Sequence, residues 1–467
     1  MKKNIIYITL LFFTLSSCKK YLDVNENPNS PTTAPINGLL GQTTYQSALN
    51  VFRVGNLTAN YVQYLASPNA ASSSDIYEPI DASGSWTSLY NTMTDIYDLE
   101  KLGASSGSTQ HQGVAKILMA LNLKMVHDLW GNAPYSEAFT SLKLTPVFDD
   151  AQALYNTCIT LVDAGIALLQ QPGSAITLST SLDFIHKGNT AAWIKTAYAL
   201  KARLLMLISK KGTFNANNVI TALNNSYTSN NDDAAITAFN IRNPWAQVAL
   251  DNAGLLLGGW LSKQYVDMMN GTIYGIIDPR LPLIASITRF NDYRGTRNGA
   301  GRVGNGTSFE ESYISTTGYY SSNTSPLFIV TYSEVKFLEA EARFRKGGDL
   351  PAAYNAYLEG IRANMNKIGV SAVNRDAYVN DPSVSVGSAN LTLALILKEK
   401  YKSIFLNPET WNDARRNNYL YQGFSLPLNA ALPSYIRRLD YPSVELTRNG
   451  ANVPAITGLD QKLWWDQ

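Results

Sequence analysis

Apolar residues recur along this chain every three to four positions, and that spacing predicts helices. Val114, Leu118, Leu121, Met125 and Leu129 form one stripe, with Gly131 placed to end the helix. Trp193, Ala197, Leu200, Leu204 and Leu207 form a second, with Lys195, Lys201 and Arg203 off the stripe. Val335, Leu338 and Ala342 repeat the pattern, with Glu339, Glu341 and Arg345 outside it. Leu393, Leu397 and Ile404 mark a further helix, rich in Lys and Glu.

One stretch predicts a helical hairpin. Ser333 to Lys346 reads as a helix ended by Gly347-Gly348. Asp349 is placed to cap the returning helix, Ala352 to Lys367, and Pro351 stands in its first turn, where a missing N–H costs nothing. Two helices of about 15 residues with a tight turn resemble a tetratricopeptide unit. Segments 111–130 with 150–170, and 190–211 with 215–226, predict similar pairs, though the repeats are degenerate. Between helices lie four long polar stretches, Ala66–Ser85, Ser226–Asn243, Gly271–Pro326 and Val370–Asn390. Loops of that length in a compact domain are either functional or disordered. Rich in Tyr and mounted on helices, they are the place to seek a binding surface.

The N-terminus has its own pattern. Lys2 and Lys3 precede an apolar run from Ile5 to Leu15, shorter than the ~20 residues that span a bilayer as a helix. It reads as a secretory signal. The run ends in Leu15-Ser16-Ser17-Cys18, which resembles the lipobox of bacterial lipoproteins; the alternative is an ordinary cleaved signal with a chance Cys. Residues 1–17 are therefore expected to be a lipoprotein signal peptide and Cys18 the lipidated residue, since several acyl chains give stable anchoring. Residues 18–36, with their prolines and many Asn, Ser and Thr, read as a flexible tether, and residues 37–467 as a single domain. No second apolar run approaches 18 residues.

Charged residues make up only 16% of the 467, against about 25% in an ordinary domain. The net charge of +2 falls to zero once Lys2 and Lys3 are removed. A neutral, charge-poor surface has no electrostatic footprint for nucleic acid and suits neutral ligands. Of the two cysteines, Cys158 stands alone inside a predicted helix and reads as a buried, inert thiol.

Motifs that look like chemistry mostly dissolve. Gly299-Ala300-Gly301-Arg302-Val303-Gly304 fits G-x-G-x-x-G, but no buried strand precedes it and no helix follows, so it reads as a flexible loop. His111, His127 and His186 have no metal-ligand spacing, and His127 reads as structural. No nucleophile signature is present. Asp149-Asp150, Asp232-Asp233 and Glu310-Glu311 are carboxylate pairs, yet glycosidase carboxylates face each other across a cleft and need not be adjacent. Trp130, Trp193 and Trp411 sit on helices as core residues. Tyr77, Trp86, Tyr274, Tyr293, Tyr313, Tyr319 and Tyr320, with Arg294, are the candidate ligand contacts, because exposed aromatics stack on sugar rings or pack on peptide side chains.

Several ordered motifs together resemble the SusD/RagB family of nutrient-binding outer-membrane lipoproteins, and its starch-binding SusD-like branch in particular. Cys18-Lys19-Lys20-Tyr21-Leu22-Asp23 resembles the family's lipidated start. Trp130-Gly131-Asn132-Ala133-Pro134-Tyr135-Ser136-Glu137-Ala138 resembles its W-G-x-x-P-Y-x-E-A segment. Thr331 to Ala342 is similar to its T-Y-x-E-x-x-F-L-x-A-E-A helix, and Glu409 to Arg416 to its E-x-W-x-D-x-R-R. Trp193 to Leu207, Arg438 to Pro442 and Leu463 to Asp466 also fit.

The resemblance implies an all-α, SusD-like fold of about four tetratricopeptide-like hairpins with long inserted loops. It implies no catalysis, no cofactor and no metal, while a loop Ca²⁺ is left open. It further implies a lipid-anchored protein of a Gram-negative outer membrane, facing the exterior, which captures glycans and passes them to a SusC-like TonB-dependent transporter. The same lid binding peptides, as in RagB-type members, is the first alternative; a tetratricopeptide-type adaptor for protein partners and a secreted hydrolase are the others.

Overall fold

The computed structural model describes residues 35–140, 143–255, 258–304 and 308–467. The signal segment, Cys18 and the tether up to residue 34 lie outside the described residues. The first half contains α1 (Ile36–Thr58), β1 (Leu65–Ala66), α2 (Ser73–Ile76), α3 (Ser83–Ser105), α4 (Thr109–Trp130), α5 (Ala151–Gln170), α6 (Thr190–Leu207) and α7 (Ala216–Leu223). The middle contains β2 (Ala234–Ile236), α8 (Pro244–Leu255), β3 (Trp260–Leu261), α9 (Lys263–Met269) and β4 (Leu327–Val330). The last part contains α10 (Tyr332–Lys346), α11 (Leu350–Ile368), α12 (Ala372–Val379), α13 (Leu393–Ser403), α14 (Glu409–Arg416) and α15 (Ser443–Asn449).

Local chemistry sets the helix ends. Ser108, Asp150, Asn189, Thr331 and Thr392 each accept a backbone N–H of the first turn that follows, satisfying a donor that has no partner inside the helix. Gly131, at φ +83°, returns its N–H to the His127 carbonyl and stops α4. Asp349 occupies the capping position of α11 without capping it. Its carboxylate instead accepts from Arg343 Nη1 at 2.6 Å, a charged donor in place of a backbone one.

The helices pack as four pairs, α1 with α3, α4 with α5, α6 with α7 and α10 with α11, with α13 lying across the last pair. This is the mostly helical, tetratricopeptide-like architecture that the family resemblance implies, and the three hairpins that the periodicity predicts are among its four pairs. One hydrophobic cluster runs through all of it, from Leu40 to Trp465. Trp130, Trp193 and Trp411 are fully buried within it, as is the free thiol of Cys158. α5 is apolar enough by length and composition to cross a membrane, with a mean hydropathy of 1.3. Here it is a hairpin helix: Leu154, Cys158, Leu161 and Val162 face inward, and Gln152, Asn156 and Asp163 face out.

Position off an apolar stripe does not mean exposure in this protein. Arg203 and Glu341 are both buried. Arg203 pairs with Glu334, and Glu341 receives two contacts from Arg416. Arg280, Asp278, Glu399 and Lys402 form another buried charge cluster. A buried charge is tolerated only when paired and hydrogen-bonded, so these groups join helices that the apolar stripes alone would leave free to slide.

Short strand pairings and backbone contacts tie the long polar stretches to the rest of the chain. β1 pairs antiparallel with β3, Leu65 opposite Leu261, and β2 with β4, Ala234 opposite Val330. Segment 370–390 holds α12, which its polarity concealed. The G-x-G-x-x-G segment is a loop, but a clamped one. A Cβ on Gly299 would fall 2.0 Å from the Leu428 carbonyl oxygen, and one on Gly301 would fall 2.5 Å from Ala70 N. Both glycines have positive φ, and both are required because backbone passes where a side chain would stand.

Candidate functional site

The structure removes three of the candidate contacts from the surface. Tyr77 is 1% exposed and meets Tyr61 edge-on. Trp86 is 4% exposed and packs against Tyr90 at 4.7 Å and Trp130 at 4.9 Å. Tyr320 is buried between Phe328 and Phe405. Trp86 is buried because it lies on the inward face of α3, while at Tyr77 and Tyr320 the chain folds back on the helices and the rings fill the core. Tyr274, Tyr313 and Tyr319 are half-buried and dispersed: Tyr274 lies under Lys398 Nζ at 4.7 Å, Tyr313 beside Trp260, and Tyr319 stacked on Phe328.

Tyr293 and Arg294 do share a cleft, of about 540 Å³. One wall is α9, where Lys263 and Asp267 pair one helical turn apart. The other is the chain around 292–303, held to the end of α9 because Asn270 Nδ2 donates to the Tyr293 carbonyl at 3.2 Å. Charges along the rim are matched. Arg294 pairs with Asp292 at 2.7 Å and Arg289 with Glu310 at 2.6 Å. The hydrogen bonds from Arg294 and Thr288 hold the Asp292 carboxyl below its usual range. Glu311 is buried at the back, where it accepts from Thr296 Oγ1 at 2.7 Å and from Val303 N; burial pushes its carboxyl up. Arg297 has no ion-pair partner among the described residues and lines both this cleft and an adjoining one of about 330 Å³. Phe290, 46% exposed, has the guanidinium groups of Arg294 and Arg289 over its ring, at 4.2 and 4.8 Å.

A further cleft, of about 420 Å³, is lined by residues that flank the Pro68–Ala71 turn in sequence. Asn56, Asn60, Ser67, Ser72, Ser74 and Asp251 supply its polar groups. The turn is fixed to the 298–302 segment, because Ala71 N donates to the Gly299 carbonyl and Arg302 N to the Pro68 carbonyl, each at 3.0 Å.

Hydroxyls, amides, guanidinium groups and compensated carboxylates on facing walls can each donate to or accept from a sugar hydroxyl, and the Tyr293 ring offers an apolar face. Among the described residues no group of three His, Cys, Asp or Glu side chains could hold a metal ion. Lys263, Asp267, Asn270 and Arg297 were not legible as site residues, since they come together only when α9 packs on a loop about thirty residues downstream. The run Ser67 to Ser74 carried the one available signal, its density of small polar residues.

A family model described as starch-binding and associating with the outer membrane, SusD-like, matches residues 28–442. No curated protein matches the chain. Among solved structures, a chitin-binding SusD homologue from Flavobacterium johnsoniae is similar with a TM-score of 0.78 and 21% identity, over 92% of this chain and 98% of that one. A SusD/RagB family protein from Bacteroides thetaiotaomicron has a TM-score of 0.74 and 21% identity over 93% and 99%. A SusD homologue from Bacteroides uniformis has 0.75 and 20% over 92% and 99%.

Proposed function

Because this chain belongs to the SusD-like family, described as starch-binding and associating with the outer membrane, we propose that it captures glycan oligosaccharides at the cell surface and passes them to a SusC-like TonB-dependent transporter. It is a binding protein and not an enzyme, so the ligand is held without being cleaved. The observation that carries the reading is the set of polar clefts around Tyr293, Arg297 and the Pro68–Ala71 turn, mounted on a helical scaffold whose core is continuous. Such walls recognise neutral polyhydroxyl ligands through many modest hydrogen bonds, with one aromatic face for stacking. Lipidation at Cys18 would keep the binder beside its transporter on the outer face of the membrane.

The test uses protein beginning after Cys18 with starch- and chitin-derived oligosaccharides, by calorimetry, with product analysis in parallel. Binding without new products supports the reading. Retention of defined peptides alone would replace it with the peptide-binding form. Failure of the lipidated protein to co-purify with a SusC-like transporter would remove the delivery step.

A further inference from the structure

Asp75 is fully buried on α2 and has no ion-pair partner among the described residues. Its carboxylate accepts four hydrogen bonds. Oδ1 receives Asn60 Nδ2 at 2.8 Å and Asn298 Nδ2 at 2.7 Å; Oδ2 receives Ser67 N and Gly299 N, both at 2.9 Å. Asn60 and Ser67 line the 420 Å³ cleft. Asn298 and Gly299 belong to the segment whose neighbours Arg297, Ala300 and Gly301 line the 540 Å³ cleft. One carboxylate thus ties a segment that lines one cleft to a segment that borders the other, the two more than two hundred residues apart in sequence.

A buried, unpaired carboxylate is an expensive way to stabilise a fold. It is an effective way to fix direction, because each oxygen takes only correctly aimed N–H groups. The surrounding chain is held in unfavourable geometry at the same place: Ala71 and Tyr77 have φ of +53° and +67°, and Gly301 presses on Ala70 with no room for a Cβ. We propose that Asp75 is a positioning residue that keeps the two clefts in one register, so that the site takes an extended oligosaccharide lying across the Pro68–Ala71 turn rather than a single sugar. This rests on the glycan-capture reading above.

The experiment measures affinity against ligand length, from disaccharide to octasaccharide, for wild type, Asp75→Asn and Gly301→Ala. In wild type the second cleft adds avidity, and affinity climbs by at least about tenfold from the shortest to the longest ligand. Asp75→Asn puts an NH₂ against two donors, and Asn298 cannot turn to relieve it because its Nδ2 also donates to the Leu65 carbonyl. Gly301→Ala pushes the Pro68–Ala71 turn off its seat without touching Asp75, and stands alone if the Asn variant does not fold. Both variants lose the gain with length, so the ratio of longest- to shortest-ligand affinity falls to about twofold or less. A uniform loss of folded protein would leave the ratio of long to short affinities unchanged. Retention of the full length gain in both variants overturns the role of Asp75, and a wild type that binds every length equally overturns the two-cleft site. Absence of oligosaccharide binding by wild type at any length overturns the glycan reading itself and this inference with it.

Discussion

Gly113 on α4 and Gly165 on α5 face each other across their hairpin with backbones in contact. A Cβ on Gly113 would stand 3.0 Å from the Gly165 carbonyl oxygen and 2.7 Å from Leu169 Cγ; one on Gly165 would stand 2.9 Å from the Gly113 carbonyl oxygen. A mid-helix glycine sacrifices about 1 kcal/mol relative to alanine, so Gly165→Ala in an isolated helix would stabilise. Here the overpacking reverses the sign, and the variant is expected to lose about 1–3 kcal/mol. Chemical denaturation measures it, and unchanged or higher stability would mean that the two helices can separate at little cost.

The Arg203 guanidinium on α6 meets the Glu334 carboxylate on α10 through two bonds of 2.5 Å and also donates to the Ile329 carbonyl at 2.7 Å. Both side chains are buried. Glu334→Ala strands a guanidinium in the core and is expected to cost about 3–5 kcal/mol, whereas replacing both residues with methionine recovers most of that loss. A single variant within 1 kcal/mol of wild type, by the same denaturation, would contradict the assignment.

Trp86 and Tyr293 should separate stability from binding. Trp86→Ala empties the space between Tyr90 and Trp130 and is expected to cost about 3–5 kcal/mol. Tyr293→Ala leaves the melting temperature within a few degrees and weakens oligosaccharide affinity by roughly five- to tenfold, about 1 kcal/mol of stacking. Thermal melts and calorimetry on the same two proteins decide it; unchanged affinity in Tyr293→Ala would remove that ring from the site.

Stability should fall as the medium becomes acidic, beginning with a histidine. His111 is buried, with Nδ1 at 2.7 Å from Ser108 Oγ and Nε2 at 3.0 Å from Asn37 Oδ1. Burial pushes its pKa down to about 4, below the unfolded value near 6.5. Protons therefore favour the unfolded chain: the contribution is fully present above about pH 6.5 and is lost progressively toward pH 4. About 1–2 kcal/mol should disappear between pH 7 and pH 5, with His186, lowered by the same cause, adding to it. The carboxylates of Glu341 and Glu399 are held low by Arg416 and by Lys402 with its neighbours, so their share is present above the unfolded value near 4 and is lost only below it. Urea midpoints against pH, with His111→Gln as control, test this; a flat profile from pH 7 to 5 would refute it.

Helix positions, the hairpin turn at Gly347-Gly348, the stop at Gly131 and the core roles of Trp130, Trp193 and Trp411 were determined by the sequence alone. Each depends on local spacing or on one residue's backbone preference, and neither needs a distant partner. The ordered motifs were likewise enough to place the chain in its family. The tertiary structure decided which residues off the stripes are exposed. Arg203 and Glu341 look solvated until a second hairpin brings Glu334 and Arg416 to them, and pairing then permits burial. It also decided the fate of the aromatics. Trp86 lies on the inward face of α3, and Tyr77 sits in a polar stretch that the contacts of Asp75, Gly299 and Gly301 fold onto the helices. The clefts arise from tertiary contacts too: α9 meets the 292–303 segment about thirty residues downstream, and the Pro68–Ala71 turn meets the 298–302 segment more than two hundred residues away, and no periodicity along the chain records such a meeting.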